Sequence, residues 1–157
     1  LCGFIILVIS KKFVPQPGTI ILVACTTAFL KLIYLGALSL LPVLAIFSEG
    51  ILLELILWRT ENPGQIRLIF AGILIFGWTF FYPFFALGIL SGWKFSKIIQ
   101  LIIGWGALLP GISGTSAKFI LLIILGLHLI AGFIAGVVSH KISRMLCRFA
   151  TAKISGS

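Results

Sequence analysis

Three acids serve this chain of 157 residues, Glu49, Glu54 and Glu61, and there is no aspartate. Glu49 and Glu54 fall in one long apolar run, Lys31 in the run before it and His128 in the last. An ionised group at the centre of a bilayer costs at least about 2.5 to 3.5 kcal/mol, so each needs a partner, water or a ligand. Lys31 can meet either carboxylate if the two helices touch, as a substrate anchor or gate, or as an internal salt bridge. Glu54 has the further option of snorkelling to Arg59. Five residues apart on a helix, the two carboxylates point about 140° from each other, so at most one faces a given pocket.

Trp78, Phe81, Tyr82 and Phe85 follow at i, i+3, i+4 and i+7, which places four rings on one stripe of a helix. Such a stripe can stack a planar heterocycle, or it can pack against a helix or lipid. Tyr82 adds a hydroxyl beside Pro83 and is the preferred member. His128 can face a ligand or simply bond a neighbouring helix. The stretch Gly111 to Lys118 leads into the last apolar run, with Thr115 or Ser116 as the expected N-cap whose free N–H groups could hold an anion. Nothing in the chain has metal-ligand spacing, there is no HExxH, and Cys2, Cys25 and Cys147 are far apart. Neither a cofactor nor enzymatic activity is expected.

The elements that must position these residues are membrane helices. Apolar residues make up 61% of the chain and charged ones 10%, and the apolar runs are apolar on every side. A spanning helix needs about 20 such residues, whereas a membrane β-barrel would alternate apolar and polar in segments of about 10. The net charge of +9 comes from cations scattered between the runs, which excludes a nucleic-acid face and marks topology instead. The expectation is an all-α polytopic bundle forming a single domain, with a partial helix at 1–11 and spanning helices at 19–41, 42–58, 68–90 and 117–139. Residues 91–116 form an external loop with a short helix at 98–109, flanked by Trp93 and Trp105 as interfacial anchors. Pro15-Gln16-Pro17-Gly18 and Asn62-Pro63-Gly64 make the turns, Pro42 heads the third helix and Pro83 kinks the fourth. Gly132 and Gly136, with Ala131 and Ala135, form a small-residue face for close helix packing, a pattern that Gly88 and Gly92 repeat.

The positive-inside rule sets the layout. If 98–109 does not cross, Lys11, Lys12, Arg59, Arg67, Lys141, Arg144, Arg148 and Lys153 share one side against Lys94, Lys97 and Lys118. If it crosses, the bias vanishes at six against five. The C-terminus is therefore placed in the cytoplasm, with five segments of which the first is truncated, and six in the full-length form. At about 1.5 Å per residue from the external end, Glu49 then lies about 10 Å deep, Tyr82 about 12 Å, Lys31 and His128 about 15 Å, and Glu54 about 18 Å.

Pro17-Gly18 opening a helix, the run Pro42 to Trp58 and the closing run His128 to Arg144 together resemble the substrate-capture (S) subunits of energy-coupling-factor vitamin transporters, nearest to the thiamine and hydroxymethylpyrimidine-related branch. The likeness covers nearly the whole chain. It implies six helices with cytoplasmic ends and capture of a vitamin from outside. It also implies a transmembrane coupling subunit and two ATPases as partners. In that family the small-residue docking motif usually lies in a first helix, which on this layout is expected to precede the residues given, and the resemblance assigns Lys31 no role.

The function expected is thus that of a substrate-binding subunit for uptake of a vitamin-like nutrient, with Glu49, Trp78, Tyr82, His128 and Lys31 at its pocket and membrane lipid around it. A ligand-free helix-packing protein is the alternative, and a membrane-embedded enzyme a more distant one.

Overall fold

The computed structural model describes the backbone of residues 2–35, 40–58, 60, 62–90, 92 and 114–155, and the side chains of these apart from 35, 40, 87, 89, 90, 114–118 and 147–155. The regular structure among them is entirely helical: α1 (Cys2–Phe13), α2 (Thr19–Leu35), α3 (Leu40–Ile56), α4 (Gln65–Leu90) and α5 (Gly114–Ser155). Arg59, Glu61, Trp93, Trp105 and the short helix expected at 98–109 lie outside the described residues, as do the side chains of Lys118, Arg148 and Lys153.

Breakers sit where helices end. α1 stops before Pro15 and Pro17, and Gly18 follows with φ 88°, a left-handed conformation that favours glycine. Pro42 lies in the first turn of α3, where its missing N–H leaves no bond unmade. Pro83 is interior to α4, so the Thr79 carbonyl has no Pro83 N–H to accept from. Gly92 has φ 68° and lies past the end of α4, so it terminates the helix rather than extending the small-residue face begun at Gly88. α5 starts at Gly114, which puts Thr115 and Ser116 inside its first turn rather than at the cap. It also continues beyond Ser139 to Ser155, 42 residues in all. Between those two residues the sequence has no glycine or proline, and Lys141, Arg144 and Arg148 are good helix formers, so polarity alone does not stop it.

Each helix packs on the next in sequence, and α5 returns to α1, closing a ring. The α4 and α5 backbones touch. A Cβ on Gly136 would lie 2.5 Å from Ile69 Cα, one on Gly132 would lie 2.5 Å from the Gly72 carbonyl oxygen, and one on Gly72 would run into the Gly132 carbonyl. The small-residue face of α5 therefore has α4 as its partner, running antiparallel. α2 and α3 approach closely where Gly50 meets Ala24, again antiparallel. Phe4, Val8, Ile20, Leu53, Leu57, Leu68, Ala71, Ile75 and Ala135 form the buried core.

The outer surface is oily. Phe29, Ile33, Phe70, Phe119, Leu127 and Phe133 are all about half exposed or more. Two stretches, Gln65–Ala86 and Phe119–Leu146, are long and apolar enough to cross a membrane, and only 22% and 17% of their apolar windows are buried, unlike the core helix of a soluble protein. α2 is apolar over the shorter stretch Thr19–Tyr34. The α1–α2 turn, the α3–α4 turn and residues 139–144 of α5 meet at one end of the bundle. Arg67 Nε donates to the Ile56 carbonyl there at 3.0 Å, and Lys12 Nζ donates to Ser143 Oγ at 3.3 Å. Lys11, Lys12, Arg67, Lys141 and Arg144 consequently share that end.

Candidate functional site

α3 and α4 meet along a seam that carries Ser48 and Glu49 of the one and Trp78, Thr79 and Tyr82 of the other. Antiparallel packing brings Ser48 and Glu49 opposite Trp78 and Thr79, and the start of α3 opposite Tyr82. Trp78 Nε1 donates to Ser48 Oγ at 2.9 Å, and Ser48 Oγ donates on to the Ala45 carbonyl at 2.9 Å. Thr79 Oγ1 lies 3.0 Å from Glu49 Oε1 and 2.9 Å from the Ile75 carbonyl. A hydroxyl has one proton, so Thr79 serves one of these acceptors at a time. Tyr82 Oη donates to the Leu41 carbonyl at 2.7 Å, tying α4 to the first turn of α3.

Rings continue the seam. Trp78 stacks on Phe85 with centroids 5.6 Å apart and planes at 27°, and Tyr82 leans on Trp78 at 6.2 Å. Phe81 leaves this group and packs edge-on against Phe80 at 5.2 Å. Of the four rings expected on one stripe, three therefore act together, and one face of Trp78 is already covered by Phe85. Glu49 is half-buried. The ion pair found among the described residues is Lys11–Glu54, so no described cation pairs with Glu49.

Along this seam the structure brings together three of the five expected site residues, Glu49, Trp78 and Tyr82; His128 and Lys31 make no described hydrogen bond or ring contact with these three, and the Lys31 charge bears on Glu49 without an ion pair. His128 Nδ1 contacts the Ile124 carbonyl of its own helix at 2.9 Å, and its ring meets Phe80 at 5.6 Å. Phe80 follows Thr79 by about 100° around α4, so His128 approaches that helix from another side than Glu49 does. Lys31 is seven residues on from Ala24, and the position level with it on α3 is seven back from Gly50, namely Val43. That is about 9 Å along the axis from Glu49. Lys31 makes no ion pair among the described residues.

Glu54 makes no ion pair with Lys31, and the expected Arg59 partner lies outside the described residues. Its Oε1 accepts from Lys11 Nζ at 2.7 Å and from the Gly18 N–H at 2.9 Å, and its Oε2 accepts from the Ile20 N–H at 2.9 Å. Lys11 also donates to the Gln16 carbonyl at 2.9 Å. A carboxylate from α3 thus caps the amino end of α2 and neutralises the last turn of α1. Sequence reasoning took Lys11 as a topology marker and missed this node. The available signal was height: Lys11, Gly18 and Glu54 all fall near the same ends of their helices. No protein-family model, no curated protein and no solved structure matches this chain.

Proposed function

We propose that the chain is a polytopic membrane protein with its C-terminus in the cytoplasm, which binds a small ring-bearing nutrient at the α3–α4 seam as the substrate-capture subunit of an uptake transporter. The observation that carries the reading is Glu49, a half-buried carboxylate in an apolar bundle, bonded to a neutral hydroxyl and set beside stacked rings. Ionisable groups at such positions mark substrate paths in membrane proteins by default, and a ligand bearing a cation or a donor supplies what Glu49 lacks. The oily outer surface and the gathering of cations at one end support the membrane placement. The resemblance to energy-coupling-factor S subunits supports the transport role, and with it a coupling subunit and ATPases as partners.

The test is saturable binding of a thiamine-like or pyrimidine-containing compound to the full-length protein in nanodiscs, by native mass spectrometry or quenching of Trp78. Glu49→Gln should abolish binding while leaving thermal stability close to that of the parent. A second reading, a helix-packing protein without ligand, is favoured by the fact that Trp78, Thr79 and Tyr82 each already bond across to α3. Loss of stability in Glu49→Gln, with no saturable ligand for either form, would establish that reading instead.

A further inference from the structure

Every described side-chain donor on the α3–α4 seam but one is already engaged. Trp78 Nε1 gives its hydrogen to Ser48 Oγ, Ser48 gives its own to the Ala45 carbonyl, and Tyr82 gives its own to the Leu41 carbonyl. That leaves the single hydrogen of Thr79 for two acceptors, Glu49 Oε1 at 3.0 Å and the Ile75 carbonyl at 2.9 Å. Two oxygens this close with no proton between them repel, lone pair against lone pair. An ionised Glu49 therefore leaves one of the two contacts empty, whichever way the hydroxyl turns. A protonated Glu49 fills both: its O–H donates to Thr79 Oγ1, and Thr79 donates on to Ile75, the usual bond of a threonine inside a helix.

The charges around the seam leave room for that proton. From α2, Lys31 bears on Glu49 by its charge, as does the amino group of the chain, and Lys31 makes no ion pair among the described residues. From α4, Tyr82 is the titratable group at this level, and Arg67 lies about three turns away. His128 of α5 meets α4 at Phe80, on another side. On α3 itself, Glu54 is taken by Lys11 and two backbone amides. Leu1, Lys94 and Lys97 lie outside the described residues.

We propose that Glu49 holds a proton while the seam is empty and exchanges it for a cationic ligand. The Glu49 O–H bond breaks, the proton leaves to water, the ligand's positive charge takes its place against the carboxylate, and Thr79 turns its hydroxyl from Ile75 to Glu49. One positive charge enters as one leaves, so the bundle carries no added charge. The exchange rests on the ligand reading of the seam; the protonation of the empty seam does not.

The experiment uses the full chain in nanodiscs, followed by infrared difference spectroscopy as pH is raised and by proton release on adding thiamine, a ring compound with a fixed positive charge. At neutral pH the ligand-free protein should show a protonated-carboxyl band that Glu49→Gln removes and that Thr79→Val moves to higher frequency, because the acid loses its acceptor. The folded form keeps a proton that the unfolded chain gives up, so the unfolding temperature should fall as pH rises through the loss of the band. Glu49→Gln, whose amide N–H can donate to Thr79 as the acid does, should show no such fall. Thiamine should erase the band and release one proton per molecule bound, its affinity rising about tenfold per pH unit wherever it has a proton to displace. Absence of a Glu49 band overturns the proposal even if thiamine binds. Thiamine binding that leaves the band in place, or releases no proton, overturns the exchange. A Glu49 band without saturable thiamine binding counts against the ligand reading, and the exchange falls with it; the band tells that failure from the other two.

Discussion

Lys11 Nζ lies 2.7 Å from Glu54 Oε1, and the two side chains are 1% and 0% exposed. A buried pair of this kind is rarely a large net stabiliser, because both charges were stripped of water to form it. Removing one partner is another matter. Lys11→Met should destabilise the protein by about 3–5 kcal/mol, since it leaves a bare carboxylate inside. Glu54→Leu should cost at least as much, because the N–H groups of Gly18 and Ile20 lose their acceptor along with Lys11. The double variant should recover part of the loss but not all of it, as the α2 amides stay unpaired. Denaturant unfolding in detergent checks the order.

The glycines of α5 divide by what surrounds them. Gly136→Ala forces a Cβ against Ile69 and the Leu68 carbonyl, and should cost about 1–3 kcal/mol or more, the usual range for overpacking. Gly126→Ala meets nothing within 4 Å and should be neutral or stabilising by about 0.5–1 kcal/mol through helix propensity. Opposite signs for the same chemical change on one helix, read by thermal unfolding, would establish α4 as the partner of that face.

At the seam, Tyr82→Phe removes one hydrogen bond to Leu41 and little volume, so a loss of about 1 kcal/mol is expected. Trp78→Phe takes the donor from Ser48 and thins the stack on Phe85, and should cost more. If the seam binds a ring, both variants lower affinity, and Phe81→Leu, outside the stack, leaves it unchanged.

Sidedness follows from the ends that meet. With Cys2, Cys25 and Cys147 replaced by serine, Arg67→Cys and Lys141→Cys should react with an impermeant maleimide from the same side only. Labelling from opposite sides would dismantle the ring closure between α5 and α1.

Much of this architecture was legible in the residues, and the reason is that breakers and small residues act locally. Pro15, Pro17 and Gly18 had to end α1, and the Gly132–Gly136 spacing had to face another backbone. Which backbone it was, and what Glu54 touches, depend on the order of helices around the ring, which height within a helix does not encode. His128 illustrates the gap. Its depth is close to that of Glu49, yet the two contact α4 on different sides, because rise fixes height and neighbours fix direction. α5 outran its expected end because basic residues stop a membrane crossing without stopping a helix.

That overrun has a mechanical consequence. The stretch from Met145 to Ser155 adds about 16 Å of continuous helix beyond the residues that pack against α1. It is a stiff strut in series with the bundle, so a fluorophore or fusion attached after Ser155 would be held away from the membrane at a fixed standoff and would report tilting of α5 as a change in distance.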